Sequence, residues 1–379
     1  MNTERKVQEL IDNYPQYIVH KDDFIYLEKI GQGGFGEVYH AKLKSDPNRE
    51  CAVKIIFAER LEGHRLKRYI YEVETMATCK NPFLVPLVGF TPEPPYCIVT
   101  EFMPNGSLDK YIRHSKRQLS PSQFTIIAMG IAYGMVQLHA SNIIHRDLKS
   151  ANILLDQNFY PRICDFGIAR FEDDEGMTKR IGTPNYMAPE LIISNTYTFK
   201  VDIYAYGMIL YEMAERIRPF HGLKMQDIFT RVVNRHERPA FTSKTPEAMK
   251  KLIVKCWDQE PEERPDFDMI YRQFKFTKVC FPDTKQREIY KFLHYIEINT
   301  LHSREENSPN PLNYSSPNQE FLQNLSTFNN HSRKKNVDIN TDGELNQISR
   351  GNQKQHYNRN VYCNLDCKQC HSEESGGGV

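Results

Sequence analysis

His145-Arg146-Asp147-Leu148-Lys149-Ser150-Ala151-Asn152 is followed, 13 residues after Asn152, by Asp165-Phe166-Gly167. Two acids, an Asn, an Arg and a Lys therefore fall on two short loops joined by the apolar-rich stretch from Ile153 to Cys164. One carboxylate of such a set accepts a hydroxyl proton, while Asn152 and the other carboxylate hold Mg²⁺ against a nucleotide. Few reactions other than phosphoryl transfer need these groups in this order.

Upstream lie two more segments of the same chemistry. Gly31-Gln32-Gly33-Gly34-Phe35-Gly36-Glu37-Val38 follows an expected strand, and its glycines let backbone N–H groups approach a polyphosphate. The loop runs into a second strand rather than a helix, which argues against a dinucleotide-binding unit. One strand later comes Ala52-Val53-Lys54. A Lys within an apolar strand needs a partner for its ammonium. Glu72 is the expected partner: it sits beside the helical stripe Tyr69, Val73, Met76, whereas its rival Glu74 points away from that stripe.

The elements that position these groups divide by pattern. Phe24 to Ile30, Glu37 to Leu43, Cys51 to Phe57 and Tyr96 to Glu101 read as strands, and Leu66, Tyr69, Val73 and Met76 recur at helical spacing. After Gly106-Ser107 the pattern turns mostly helical. Ser120-Pro121-Ser122-Gln123 starts a helix with an N-cap Ser, Pro at the first position and Gln three after the cap. A β-rich segment of roughly 80 residues before a longer helical one predicts two lobes with a cleft between them.

In order and spacing, the Gly loop, Ala-Val-Lys, His-Arg-Asp with its Lys and Asn, Asp-Phe-Gly and Ala188-Pro189-Glu190 resemble the signature set of eukaryotic protein kinases. The resemblance covers residues 24–275 and implies an α+β fold: a small antiparallel sheet with one helix (about 24–103) above a larger, mostly helical lobe (about 104–275). It implies ATP and Mg²⁺ as cofactors. Asp147 is then the catalytic base, Lys149 steadies the transferring phosphoryl group, Asn152 and Asp165 bind Mg²⁺, and Lys54, held by Glu72, grips the phosphates. Ile30 belongs to the nucleotide site, Gly31, Gly33 and Gly36 cover the phosphates, and Val38, Ala52 and Leu154 sandwich the adenine. Thr100 guards the back of that pocket, with Glu101 and Met103 offering backbone hydrogen bonds. The resemblance also stacks Phe166 with His145, Met76 and Leu87 in an apolar column. It pairs Glu190 with Arg264 and anchors the catalytic loop on Asp202. Cys164 is read as a small buried apolar residue within reach of the nucleotide.

Lys149 and Gly182-Thr183-Pro184 resemble serine/threonine kinases, while Glu101 through Leu108 and Cys256-Trp257 through Arg264-Pro265 resemble the tyrosine-kinase branch. That mixture is typical of the tyrosine-kinase-like group, so Ser/Thr acceptors in protein substrates are expected, with dual specificity as the alternative. A nucleotide-holding pseudokinase or scaffold is the rival, and the intact set of Lys54, Glu72, Asp147, Lys149, Asn152 and Asp165 stands against it. Arg146 precedes the catalytic Asp, where kinases pair it with a loop phosphate. Thr178 is the expected phosphosite, with the acidic run Glu172-Asp173-Asp174-Glu175 as the alternative source of negative charge.

The remaining sequence bounds the setting. Charges nearly cancel, 49 basic against 48 acidic residues, without the basic excess that nucleic-acid or membrane binding usually brings. The charged N-terminus leads into no apolar run, so no secretory signal is expected. Val201 to Ala214 is too short for a membrane span and holds Asp202 and Glu212, so a core helix fits better. Nine scattered Cys read as reduced thiols, hence a cytoplasmic protein with nuclear access left open. Residues 1–23 are expected to be a polar lead-in. Residues 276–300 are expected to add a helix, around Asp283 to Glu297, that packs on the far lobe or binds a regulatory partner. From 301 to 379 an Asn/Ser/Gln-rich tail is expected to stay disordered. Its Cys363, Cys367, Cys370 and His371 read as incidental thiols rather than a zinc site, and Ser332-Arg333-Lys334-Lys335 is too short for a nuclear signal.

Overall fold

Alternating burial along the early strands explains why this segment forms a sheet. On β3 (Asp46–Ile56), Cys51 and Val53 point to one face and Ala52 and Lys54 to the other; on β5 (Cys97–Glu101), Cys97 and Val99 oppose Ile98 and Thr100. The first set, with Phe24 and Ala41, forms a small core of its own on one side of the sheet. The second set faces the cleft. A computed structural model shows this arrangement and describes residues 3–33, 36–57, 62–79, 81–113, 118–166, 183–194, 197–242 and 245–306. Gly34, Phe35, Gly167, Glu172 to Glu175, Thr178, Gly182, Ser332 to Lys335 and the Cys363–His371 cluster lie outside the described residues.

In chain order, α1 (Thr3–Asn13) precedes β1 (Phe24–Gly33), β2 (Gly36–Leu43) and β3; α2 (Gly63–Thr78) then leads to β4 (Leu87–Phe90) and β5. The five strands pair antiparallel in the order β1-β2-β3-β5-β4. Beyond the sheet come α3 (Leu108–Arg113) and α4 (Pro121–Ala140), then a two-stranded ladder of β6 (Ile153–Leu155) and β7 (Pro161–Ile163). Further on are α5 (Pro189–Ile193), α6 (Lys200–Glu215), α7 (Met225–Phe229), α8 (Glu247–Cys256), α9 (Phe267–Lys275) and α10 (Gln286–Glu306). A five-stranded antiparallel sheet with one helix over it, then a helical body, is the expected α+β arrangement.

Helices α4 and α6 are apolar nearly all round and form the centre of the lower body, as such a pattern requires. The capping box at Ser120 and Gln123 starts α4 as the sequence predicts. Tyr204 and Tyr206 are fully buried in α6, and the Tyr206 hydroxyl donates to Ala128 O at 2.9 Å, which satisfies one polar tip in the core. No helix among the described residues is long and apolar enough to cross a membrane.

Two expectations about the flanks are corrected. Residues 1–23 are not a bare lead-in: Val7 and Leu10 of α1 are buried in the main core, and the chain continues through Pro15–Tyr17 to bridge β4 at Ile18 and Phe90. Apolar side chains at Val7, Leu10, Ile11 and Tyr14 give α1 an inward stripe at helical spacing. The added helix near the other end begins at Gln286 and runs to Glu306, so residues 301–306 are helical rather than part of a disordered tail. Ile289, Phe292 and Ile296 of α10 are buried, and its packing is aromatic: Phe292 lies 5.7 Å from Phe83 and 4.9 Å from Tyr160, and Tyr295 lies 4.7 Å from Tyr160.

Candidate active site

The cleft between sheet and helical body holds a cavity of about 540 Å³. Ile30, Gly31, Val38, Ala52, Lys54, Glu72, Thr100, Glu101, Met103, Asn152, Leu154, Cys164 and Asp165 all line it, gathering residues from distant parts of the chain. Strand pairing sets the roof: Val38 lies opposite Lys54, and Ala52 opposite Thr100, so these side chains share the cleft-facing side of the sheet.

Lys54 Nζ lies 2.7 Å from Glu72 Oε1 and 2.7 Å from Asp165 Oδ1. Helical geometry on α2 delivers Glu72 rather than Glu74, as the stripe predicts. Burial alone would push the Lys54 ammonium down, but the Asp165 and Glu72 carboxylates beside it outweigh burial and hold it well above its usual range. The two carboxylates are unequal. Lys54 holds Asp165, a third exposed, well below the usual carboxylate range, whereas burial pushes Glu72, only 7 % exposed, upward against the pull of Lys54. Asp165 is therefore the firmer anion of the two carboxylates, and it lines the cavity.

On the lower side, Asp202 of α6 is completely buried. It accepts from the backbone N–H of His145 (2.8 Å) and of Arg146 (2.8 Å), and its Oδ2 lies 3.0 Å from His139 Nε2. Burial would raise its carboxyl, but the bonds and charge around His139 and His145 more than offset that and hold it down. This anchoring offsets a backbone cost at Arg146, which sits at φ 69° in the left-handed region that L-residues avoid; Asp165 is also left-handed, at φ 64°. Met76, Leu87, His145 and Phe166, the residues expected in the apolar column, are all buried, and the His145 and Phe166 rings lie 5.6 Å apart.

The catalytic loop is bound to itself and to the segment before α5. Asn152 Nδ2 donates to Asp147 O (2.9 Å) and Oδ2 (3.2 Å), and Lys149 Nζ lies 2.6 Å from Asp147 Oδ2. The same Nζ lies 3.0 Å from Thr183 Oγ1, which is itself 3.5 Å from Asp147 Oδ1. Glu190 and Arg264 form the expected pair, with both guanidinium ends on both carboxylate oxygens at 2.6 and 3.0 Å. Arg146 stacks over the Tyr197 ring at 5.2 Å, and its buried Nε has no partner among the described residues.

Some expected residues sit differently. Gly33 and Gly36 are not among the residues that line the cavity, while Gly31 is. A side chain on Gly36 would collide with the Ile55 carbonyl, so the neighbouring strand by itself requires a glycine there. The Glu101 N–H donates to Pro86 O at 3.1 Å, which leaves only its carbonyl for a ligand; the Met103 N–H has no described partner. Cys164 lines the cavity, yet burial pushes its thiol far up and keeps it protonated, in keeping with a packing role. Sequence reasoning missed the buried chain behind the loop, where Ser150 Oγ meets Tyr186 Oη at 3.2 Å and that hydroxyl donates to Glu212 Oε2 at 2.5 Å. Glu212 entered only as a charge against a membrane span; an acid inside an otherwise apolar helix was the signal of a buried partner.

Comparison with known proteins agrees with this geometry. The family model described as protein tyrosine and serine/threonine kinase matches residues 24–274. The chain belongs to that family. It is similar to serine/threonine-protein kinase STY46 of Arabidopsis thaliana, 35 % identical over 249 residues, which are 65 % of this chain and 43 % of that protein. It is also similar to dual specificity protein kinase shkB of Dictyostelium discoideum, at 34 % over 255 residues, or 65 % of this chain and 38 % of that one. A third relative, serine/threonine-protein kinase STY17 of Arabidopsis thaliana, is 34 % identical over 245 residues, 64 % and 42 % of the two chains. The matched part thus spans less than half the length of these relatives. The two-lobed kinase fold, with a tyrosine-kinase-like blend of motifs, is the frame for everything below.

Proposed function

We propose that this kinase-family chain binds Mg²⁺·ATP in the cleft and transfers the γ-phosphoryl group to Ser or Thr hydroxyls of protein substrates. The observation that carries the reading is that Lys54, Asn152 and Asp165 line one cleft while Asn152 is bonded to Asp147, whose carboxylate also meets Lys149, beside that lining. Asn152 Oδ1 and Asp165 Oδ2 accept no hydrogen bond from another described residue, and two hard oxygens of this kind suit Mg²⁺, which takes one or two protein ligands and fills the rest with phosphate and water. Among the described residues no cluster of three His, Cys, Asp or Glu offers a metal an all-protein cage, which is consistent with an ion shared with a nucleotide. When bound, Mg²⁺ neutralises phosphate charge and orients the terminal phosphoryl group.

The side chains divide the remaining work. Lys54 steadies phosphate oxygens as a cation held in place by Glu72. Asp147 orients the incoming hydroxyl and takes its proton at a carboxylate oxygen. Lys149 offers its charge to the oxygens of the transferring group. Val38, Ala52, Met103 and Leu154 enclose the base and exclude water. Support for an aliphatic alcohol comes from Lys149 and Thr183, the residues that resemble serine/threonine kinases, which contact each other at 3.0 Å beside the Asp147 carboxylate.

The test is the purified chain with labelled ATP, Mg²⁺ and a peptide library, wild type beside Asp147→Asn. Label on Ser and Thr from wild type alone supports the reading. Equal labelling by both proteins overturns the mechanism, and dominant phosphotyrosine overturns the acceptor assignment.

A further inference from the structure

We infer that residues 3–19 are a splint that sets the position of α2, and through it of Glu72, which makes Leu10 and Val19 positioning residues for the reaction. The inference rests on the kinase reading above for its effect on rate, and on the fold alone for its effect on α2.

Three observations meet here. Leu10, 1 % exposed, and Val7 join the apolar cluster that contains Leu66, Tyr69, Val73 and Met76 of α2 and Leu87 and Phe90 of β4. Past Pro15–Tyr17 the chain then lies along β4: Ile18 bridges Phe90, and the Val19 N–H donates to Phe90 O at 3.1 Å. The approach is so close that a Cβ on Gly89 would sit 2.5 Å from Val19 Cγ1 and 2.7 Å from Tyr17 O. One short segment thus grips both α2, which carries Glu72 and Met76, and β4, which carries Leu87. These are two members of the apolar column and the partner of Lys54.

The energetics give the splint something to decide. The ion pair of Glu72 with Lys54 gains Coulomb energy but loses hydration of a nearly buried carboxylate, and such pairs come out near balance. An α2 that swings outward would return Glu72 to water at little cost. Its N-cap residue Glu62 makes no side-chain capping bond, so the start of the helix is not fixed locally either. Apolar burial against α1 has no such offsetting loss, so it tilts the equilibrium toward the paired position.

The test uses the full chain with Leu10→Asp, Leu10→Met and Gly89→Ala, none of which touches the cleft. Amide hydrogen exchange is followed along α2 and along α6, with kcat and KM for ATP measured in parallel. Leu10→Asp and Gly89→Ala should each speed exchange in α2 about tenfold while α6 is unchanged, because the opening is local. In both variants kcat should fall about tenfold as the paired state loses population. Leu10→Met should stay within about twofold of wild type. Unchanged α2 exchange in Gly89→Ala, or faster α2 exchange with undiminished kcat, overturns the inference. If Leu10→Asp speeds exchange in α6 as well, it has unfolded the body, and Gly89→Ala decides. A wild-type chain that transfers no phosphate overturns the functional reading instead, and the splint is then judged on α2 exchange alone.

Discussion

Lys149 stands between Asp147 and Thr183, 2.6 Å from the carboxylate and 3.0 Å from the hydroxyl, so a residue from the segment before α5 joins the loop from His145 to Asn152. The placement of Thr183 and that of the Asp147 carboxylate are thus tied together through Lys149. Thr183→Ala should therefore lower kcat/KM for a peptide acceptor by about tenfold to a hundredfold, the worth of a hydrogen bond to a charged group. Thr183→Ser, which keeps the oxygen, should recover most of the loss in the same steady-state assay.

Arg264 has a fully buried side chain and holds Glu190 with two nitrogens, while its Nη1 also reaches Lys200 O and its Nε reaches Asp258 O, each at 2.9 Å. Arg264→Ala strands a largely buried carboxylate and two carbonyls. A loss of about 3–5 kcal/mol follows, since removing one member of a buried pair leaves the other uncompensated. In a domain of this size that lowers Tm by about 10 °C. Arg264→Lys should rescue little, because an ammonium cannot reproduce the fork. Thermal melts of the three proteins check both statements.

Asp165 is the anion left with a free oxygen in the cleft. Asp165→Asn should reduce kcat roughly a thousandfold or more and raise the Mg²⁺ concentration needed for half-maximal rate, because a neutral amide is a poorer ligand for a hard cation. Mg²⁺ titrations at saturating ATP separate the two effects. EDTA should abolish turnover by wild type, and added Mg²⁺ should restore it.

Glu74, on the other side of α2, gives a pH signature. Burial, and then the nearby Glu9 carboxylate, raise its pKa from 4.5 to about 7, with Lys6 pulling the other way and Tyr14 close by. The folded state holds this proton more tightly than the unfolded state. Its contribution to stability is therefore fully present below pH 4.5 and is lost progressively as pH rises to about 7. Glu74→Gln escapes that loss. The variant should match wild type near pH 4.5 and gain about 3 °C in Tm at pH 8, a discounted figure for a partly exposed group. Melts across that range would show a flat difference if the site does not titrate.

The residues proposed for catalysis stood out because phosphoryl transfer leaves little freedom in residue type or spacing on the loop from His145 to Asn152. Glu72 was legible from helix geometry, since only one of two nearby acids can share the inward stripe. Strand β4 was not, because Gly89 breaks its short apolar run and only the chain lying across it explains why a glycine is there. Helix α1 was overlooked because charged residues outnumber its apolar ones, although Val7, Leu10, Ile11 and Tyr14 carry the pattern. Gly36 carries a constraint that its motif does not announce: the neighbouring strand leaves no room for a side chain. The Ser150–Tyr186–Glu212 chain joins three distant elements, and no local pattern announces such a contact.

The aromatic seam under α10 changes where this domain can be cut. Phe83, in the segment leading to β4, packs on Phe292, and Tyr160 packs on Phe292 and Tyr295, so α10 fastens the segment between α2 and β4 to the lower body. A recombinant fragment stopped after Lys275, where the signature motifs end, would leave Phe83 and Tyr160 without their cover. Such a protein would clump on purification for want of a lid, so fragment boundaries belong beyond Glu306.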